Sequence, residues 1–263
     1  MSTDPMPGPA SSSATGGMPN PETGATASAA EIGPIGRITG AIVNPKRTFE
    51  DIGRRPTWAA PFFSLCILSL IIGGLLGQKT DWRNFFERQM SKNARFDQMS
   101  QVQKDQILDK QVAVAPKFAF AFGLLGVAIT ILIVALVYWG AFELFYSPAL
   151  GFKRSFGITS HAFAPLIISS VLAIVILLIK QRGDVDPEHF LASSVAAFLP
   201  DGAPHWLEAL GQSLELFWIW SLALIAVGFS ASNPKKIRPA GAFLTVFGIW
   251  GIWVCGKVVW AMI

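Results

Sequence analysis

Charge is what this chain has least of. Only 14% of its 263 residues are Asp, Glu, Lys or Arg, against 52% that are hydrophobic, whereas an ordinary soluble domain carries about 25% charged residues. Cysteine is almost missing: Cys66 and Cys255 stand alone. Two lone thiols inside apolar stretches read as small packing residues rather than as a disulfide or a metal site. No HExxH or paired-histidine spacing occurs among His161, His189 and His205, which leaves a zinc protease without support. The start of the chain lacks a basic segment leading at once into an apolar run and a small-residue cleavage site. No removable signal peptide is therefore expected, and the first apolar run would direct insertion itself. Residues 1–32 are rich in Ser, Ala, Gly and Pro and bury too little apolar surface to offset the entropy of ordering, so they are expected to be a disordered tail.

What the chain has instead is five long apolar runs, at about 59–77, 118–138, 162–179, 214–229 and 241–262. Each is close to the ~20 residues that a helix rising ~1.5 Å per residue needs to cross a ~30 Å hydrocarbon layer. A transmembrane β-barrel would alternate apolar and polar residues, yet ILIVALVYW and VLAIVILLI are apolar all round. The expectation is an all-α fold: a polytopic bundle of five membrane-spanning helices, with short amphipathic interfacial helices beside it.

The first of those accessory helices is read in the prelude to the first run. Ile35, Ile38 and Ile42 recur at helical spacing, Asn44 and Pro45 break the pattern, and Phe49 and Ile52 resume it. With Arg37, Lys46, Arg47, Arg54 and Arg55 around it, this stripe suits a helix lying on an anionic membrane face. A helical insertion is expected over 81–114. There Trp82, Phe85, Phe86 and Met90 share one face, and Ser100 with Gln103 matches a capping box that opens a second helix. Orientation is balanced on charge alone, with ten Lys and Arg on each side of a five-span arrangement. The short connections favour a cytoplasmic N-terminus, which puts the C-terminus outside.

The order of NPKRTFEDI, the Pro-containing approach RRPTWAAP, the helical insertion, GFKRSF and HAFAPLI resembles bacterial members of the Yip (Ypt-interacting protein) domain family. The resemblance spans 33–263 and is carried by Pro45, Thr48 and Phe49, by Gly151, Phe152 and Phe156, and by Pro165. It implies five spans and a cytoplasmic N-terminus, and it brings no catalytic residues. Eukaryotic relatives are associated with Rab-type GTPases, but their DLYGP-like motif is absent here, so that partner is not implied.

Candidate chemistry is sparse. Residues 251–257 almost spell a phosphate-binding loop, but Val258 replaces the Ser or Thr that would hold magnesium, and the segment lies inside an apolar run. Ser160 and His161 are adjacent, and neighbours on a helix do not face each other as nucleophile and base must. Glu143 is expected just beyond the second span, at the cytoplasmic face. Glu215 and Lys257 fall at a similar depth and form a candidate ion pair. Packing signals are stronger: Ser69, Gly73 and Gly77 make a small-residue stripe on the first span, and Gly241, Thr245, Gly248 and Cys255 make another on the fifth. They serve helix contacts within the chain or a homo-oligomer.

No catalytic, cofactor or metal site follows from these residues, and no nucleic-acid partner is expected. The expected function is a non-enzymatic protein of the bacterial cytoplasmic membrane that organises the bilayer or recruits membrane or cytoplasmic proteins. The alternative is a small-solute transporter or channel component, whose polar groups should converge at mid-bilayer. At that depth the chain offers only Thr130, Ser169, Ser170 and Ser221.

Overall fold

Within a hydrocarbon layer a single apolar run can satisfy its own backbone polar groups only as a helix, and the computed structural model of the chain is all-helical among the described residues. It describes Met1 and residues 33–91, 96, 98–187, 191–200 and 202–262. The expected tail therefore lies outside the described residues apart from Met1. Contacts divide the chain into Met1–Glu31 and Ile32–Ile263, and every helix of the described residues belongs to the second unit.

In chain order the helices are α1 (Pro34–Val43), α2 (Pro45–Arg54), α3 (Ala59–Lys79), α4 (Trp82–Met90), α5 (Gln101–Tyr146), α6 (Phe152–Ala162) and α7 (Ala164–Ile179). A 3-10 turn at Val195–Phe198 follows, then α8 (His205–Ser213), α9 (Leu216–Ser232) and α10 (Pro239–Trp260). Among the described residues the nearest thing to a strand is one isolated bridge between Ser194 and Glu215.

Helices α3, α5 and α10 are long and apolar enough to cross a membrane, and α6 with α7 passes the same test as one element bent by 40°. The apolar helix α9 has 17 residues and falls short. Length and composition thus give three such helices, or four with the bent pair, rather than the five expected. The reason lies at Glu215. Its carboxylate accepts from the N–H groups of Phe217 at 3.2 Å and Trp218 at 2.6 Å, so it caps α9 and the helix starts only at Leu216. The bend has a local cause too. Pro165 has no N–H to donate, and its ring displaces the carbonyl four residues earlier. Residues 152–162, expected partly as a connection, are helical on the other side of that break.

The second helix of the insertion and the second span are one continuous helix. The capping box forms as the spacing predicts, with Gln103 N–H donating to Ser100 Oγ at 3.4 Å and Ser100 N–H to Gln103 Oε1 at 3.1 Å. From there α5 runs 46 residues through Pro116 without interruption. Its first turns hold α4, because Arg83 reaches Asp105 at 2.6 Å and Asp109 at 2.8 Å, steadied by Glu87 of its own helix at 3.1 Å. Trp82, Phe85 and Phe86 share a groove with Val114 and Phe118 of α5, so the apolar face of α4 is turned toward α5.

The closest helix contact is between α3 and α5. A Cβ on Gly73 would lie 2.5 Å from the Ala119 carbonyl oxygen, and one on Gly123 would lie 2.6 Å from that of Ser69. Backbones this close require the missing side chains. The core itself lies deeper among α2, α5, α6 and α9, where Phe49, Phe142, Ile158, Ile225 and Phe229 are fully buried.

Candidate functional site: the basic end of the bundle

Pro45 cannot continue α1, and its fixed φ suits the first turn of a new helix. The chain therefore turns at Asn44, the C-cap of α1 and N-cap of α2. Thr48 Oγ1 donates back to the Asn44 carbonyl at 2.9 Å. Gly40 lets α1 close on α2, since a Cβ there would come within 2.5 Å of Thr48 Oγ1. The pair is then locked by a buried guanidinium. Arg37 donates from Nε to Asp51 Oδ2 at 2.8 Å, from Nη1 to Thr57 Oγ1 at 2.7 Å and to the Arg55 carbonyl at 3.3 Å. It is only 6% exposed, and a cation that deep must be paired and hydrogen-bonded.

The apolar face of α2 docks into the bundle rather than onto a membrane surface. Thr48, Phe49, Ile52 and Gly53 are buried. Phe49 and Ile158 close over Gly228 of α9, and Gly53 rests against Ser232. The α2 half of the expected interfacial stripe is thus covered by α6 and α9, while Ile35 on α1 stays exposed. The basic residues Lys46, Arg47, Arg54 and Arg55 remain exposed on the outer side.

Two connections meet this helical pair. After α5 the chain turns through Ser147 (φ 44°) and Ala149 (φ 54°) to Gly151 (φ 70°). Glu143 steadies the turn by accepting from the N–H groups of Ala149 at 3.2 Å and Leu150 at 2.9 Å. Glu143 thus sits beside the connection that follows α5, as its position in the sequence suggests, with its charge committed to the turn. Asn233 and Lys236, between α9 and α10, donate to the carbonyls of Pro148 and Ser147. Exposed Lys153, Lys235 and Arg238 complete a face rich in cations. Around it, residues 33–57, 139–160 and 230–240 hold ten Lys and Arg but only three carboxylates, Glu50, Asp51 and Glu143.

The residues that carry the family resemblance converge here. Pro45, Thr48 and Phe49 build α2 and its seat. Gly151 is the N-cap of α6 in a backbone conformation that favours glycine. Phe156 packs edge-on against Trp58 at 5.4 Å, Phe152 meets Trp139 at 5.9 Å, and Pro165 sets the bend into α7. Ser69, Gly73 and Gly77 pack against α5 inside the chain. A Cβ on Gly248 would have nothing within 4 Å, so this glycine takes no part in a close contact.

Glu215 and Lys257 are not an ion pair. The carboxylate caps α9, while Lys257 Nζ lies 3.5 Å from Ser213 Oγ and 5.7 Å from the centre of the Trp253 ring. Ser160 Oγ donates to the Phe156 carbonyl at 2.7 Å, and His161 Nδ1 is 2.9 Å from the Gly157 oxygen; each is held by its own helix. Among the described residues no three His, Cys, Asp or Glu gather as metal ligands. The Arg37 lock escaped sequence reasoning because its partners lie 14 and 20 residues away, with no periodicity to link them. Only the turn at Asn44 and Pro45, which folds α1 back on α2, could have hinted at it.

Known proteins share this arrangement in sequence. The Yip1 domain family model matches residues 39–261, and so covers the prelude from Thr39 onward, both connections of the basic end and every long helix. The membrane protein YknW of Bacillus subtilis (strain 168) is 28% identical over 224 residues, covering 81% of this chain and 85% of its own. No solved structure matches.

Proposed function

The chain belongs to the Yip1 domain family, and from that premise we propose a non-enzymatic multi-pass membrane protein whose basic end recruits partners at the cytoplasmic face. In this reading α3, α5, the bent α6–α7 pair, α9 and α10 form five spans of a bacterial cytoplasmic membrane. A rise of ~1.5 Å per residue gives α9 about 26 Å, within reach of a ~30 Å core. The basic end lies inside, where short loops rich in Lys and Arg are retained, and the C-terminus lies outside.

One observation carries the reading: the cations of α2 and of both connections stand on a backbone that is built rather than loose. Buried Phe49 and Ile52, the Arg37 lock and the Glu143 cap hold that backbone. A fixed array of exposed charge recognises a complementary acidic surface and speeds encounter with it. The rival, a solute pathway, finds less support. Thr130 and Ser221 each donate to the carbonyl four residues back in their own helix, at 2.8 Å, so the proton of each hydroxyl is already committed within its helix.

The test is photo-crosslinking in living cells. A photoreactive residue at Lys46, Lys153 or Lys235 should give discrete protein adducts, and reversing the charge of Arg47 and Lys235 together should abolish them. Adducts arising only from positions on the α4–α5 hairpin, such as Lys104, would reject recruitment through the basic end. Solute flux through proteoliposomes of the purified chain would favour the transport alternative.

A further inference from the structure

Helices α5 and α10 touch near the basic end and then part. Tyr138 donates from its hydroxyl to the Val246 carbonyl at 3.2 Å, and the Tyr146 and Thr245 hydroxyls are 3.0 Å apart. Beyond these contacts a cleft of about 370 Å³ opens between the two helices, floored by α9. Its walls include Ile133 and Val137 of α5, Trp218 of α9, and Ile249, Trp250 and Trp253 of α10. The volume lies within the ~300–1,000 Å³ of ordinary ligand pockets, and walls this apolar, within helices of membrane-crossing character, exclude a soluble polar ligand.

One charge stands at the far end of the cleft. Lys257 lies one turn beyond Trp253 on the same face of α10, with its ammonium over the Trp253 ring and near Ser213 Oγ. It is half-buried, and among the described residues it has no carboxylate partner. Glu215, the acid expected to neutralise it, is committed to capping α9. An ammonium beside apolar walls with no counter-charge is an incomplete ion pair.

We propose that this cleft seats an anionic phospholipid, its acyl chain along the tryptophan-lined wall and its phosphate on Lys257 Nζ. The ~1.5 Å rise per residue of α10 separates Lys257 from the Val246 contact by about 16 Å, a depth that suits an extended acyl chain beneath its headgroup. The occupant is a lipid and not a second protein helix, because the charge sits at one end of a groove whose remaining length is apolar. It is anionic rather than zwitterionic, because a phosphate without a neighbouring amine supplies the missing counter-charge. The inference is independent of the recruitment role of the basic end.

The experiment uses the full-length protein in vesicles doped with phosphatidylglycerol or phosphatidylcholine carrying a photoactivatable acyl chain. Wild-type protein should be labelled on the segments around Ile133–Val137 and Ile249–Trp253, with about fivefold preference for phosphatidylglycerol, as expected for one cation facing an anionic headgroup. Lys257→Gln should bring the preference to about one, and Lys257→Arg should keep it. Val137→Trp, which fills the cleft, should reduce labelling by both lipids while gel filtration shows an unchanged particle. Equal labelling by the two lipids in the wild type overturns the proposal. So does labelling of exposed lipid-facing positions such as Phe120 and Leu244 at the same level as the cleft.

Discussion

At the scale of single residues, the most consequential side chains are those that hold the basic end rather than those that decorate it. Among the described residues Asp51 is the sole carboxylate on the Arg37 guanidinium. Removing it leaves a cation that is 6% exposed with only neutral acceptors. Asp51→Ala should cost about 2 kcal/mol, the range for a charged hydrogen bond left unmade, read as a lower thermal midpoint of the detergent-solubilised protein. Arg54→Ala, an exposed neighbour, should leave the midpoint within about 0.5 kcal/mol of wild type. A second residue carries strain. Ala149 adopts φ 54°, which costs a non-glycine residue about 1 kcal/mol, while the Glu143 carboxylate accepts from its N–H. Ala149→Gly should raise the midpoint, whereas a fall would show that the alanine methyl packs more favourably than its backbone is strained.

At the scale of elements, the meeting of α3 and α5 shows how far sequence reading reaches. The stripe of Ser69, Gly73 and Gly77 is visible as a four-residue repeat, and the structure uses it as the closest backbone approach in the bundle. Two adjacent glycines separate contact from composition. Gly73→Ala puts a methyl 2.5 Å from a backbone oxygen that cannot rotate away, so the helices must part, at about 1–3 kcal/mol. Gly74 has nothing within 4 Å, so Gly74→Ala should be neutral or stabilise by up to about 1 kcal/mol through helix propensity. Equal effects in a thermal-shift assay would mean that the close approach does not exist. The second stripe is used over its first half only: Gly241 and Thr245 meet Tyr146 of α5, whereas Gly248 meets nothing within 4 Å, because small residues permit contact without specifying how far a neighbouring helix will follow. Helix ends were legible where a side chain marks them, as at Ser100 and Gln103. They were illegible where a neighbour decides: nothing local says that α5 passes through Pro116, or that Glu215 would turn back to its own helix.

At the scale of the whole molecule, the fold gathers residues 33–57, 139–160 and 230–240 at one end, although the sequence scatters them over two hundred positions. Apolar periodicity made the all-helical bundle readable, and the family resemblance made its order readable. The docking of α2 was not, because an apolar stripe looks the same whether lipid or protein covers it. The proposed arrangement of five crossings places the two termini on opposite sides. A reporter active only in the cytoplasm should therefore be silent at the C-terminus and active when inserted after Asn233. Cytoplasmic activity at the C-terminus would mean an even number of crossings, with α9 as the first helix to reconsider.

The 46 unbroken residues of α5 have a mechanical meaning as well. At ~1.5 Å per residue they form a rod of about 69 Å, more than twice the thickness of a hydrocarbon core. It is clasped to α4 by Arg83 at one extremity and to the Ser147 turn by Glu143 at the other. Its far half is packed in the core at Phe142 and its near half is crossed by α3 at Gly123, so the rod is a fixed strut that sets how far the α4 clasp stands from the basic end.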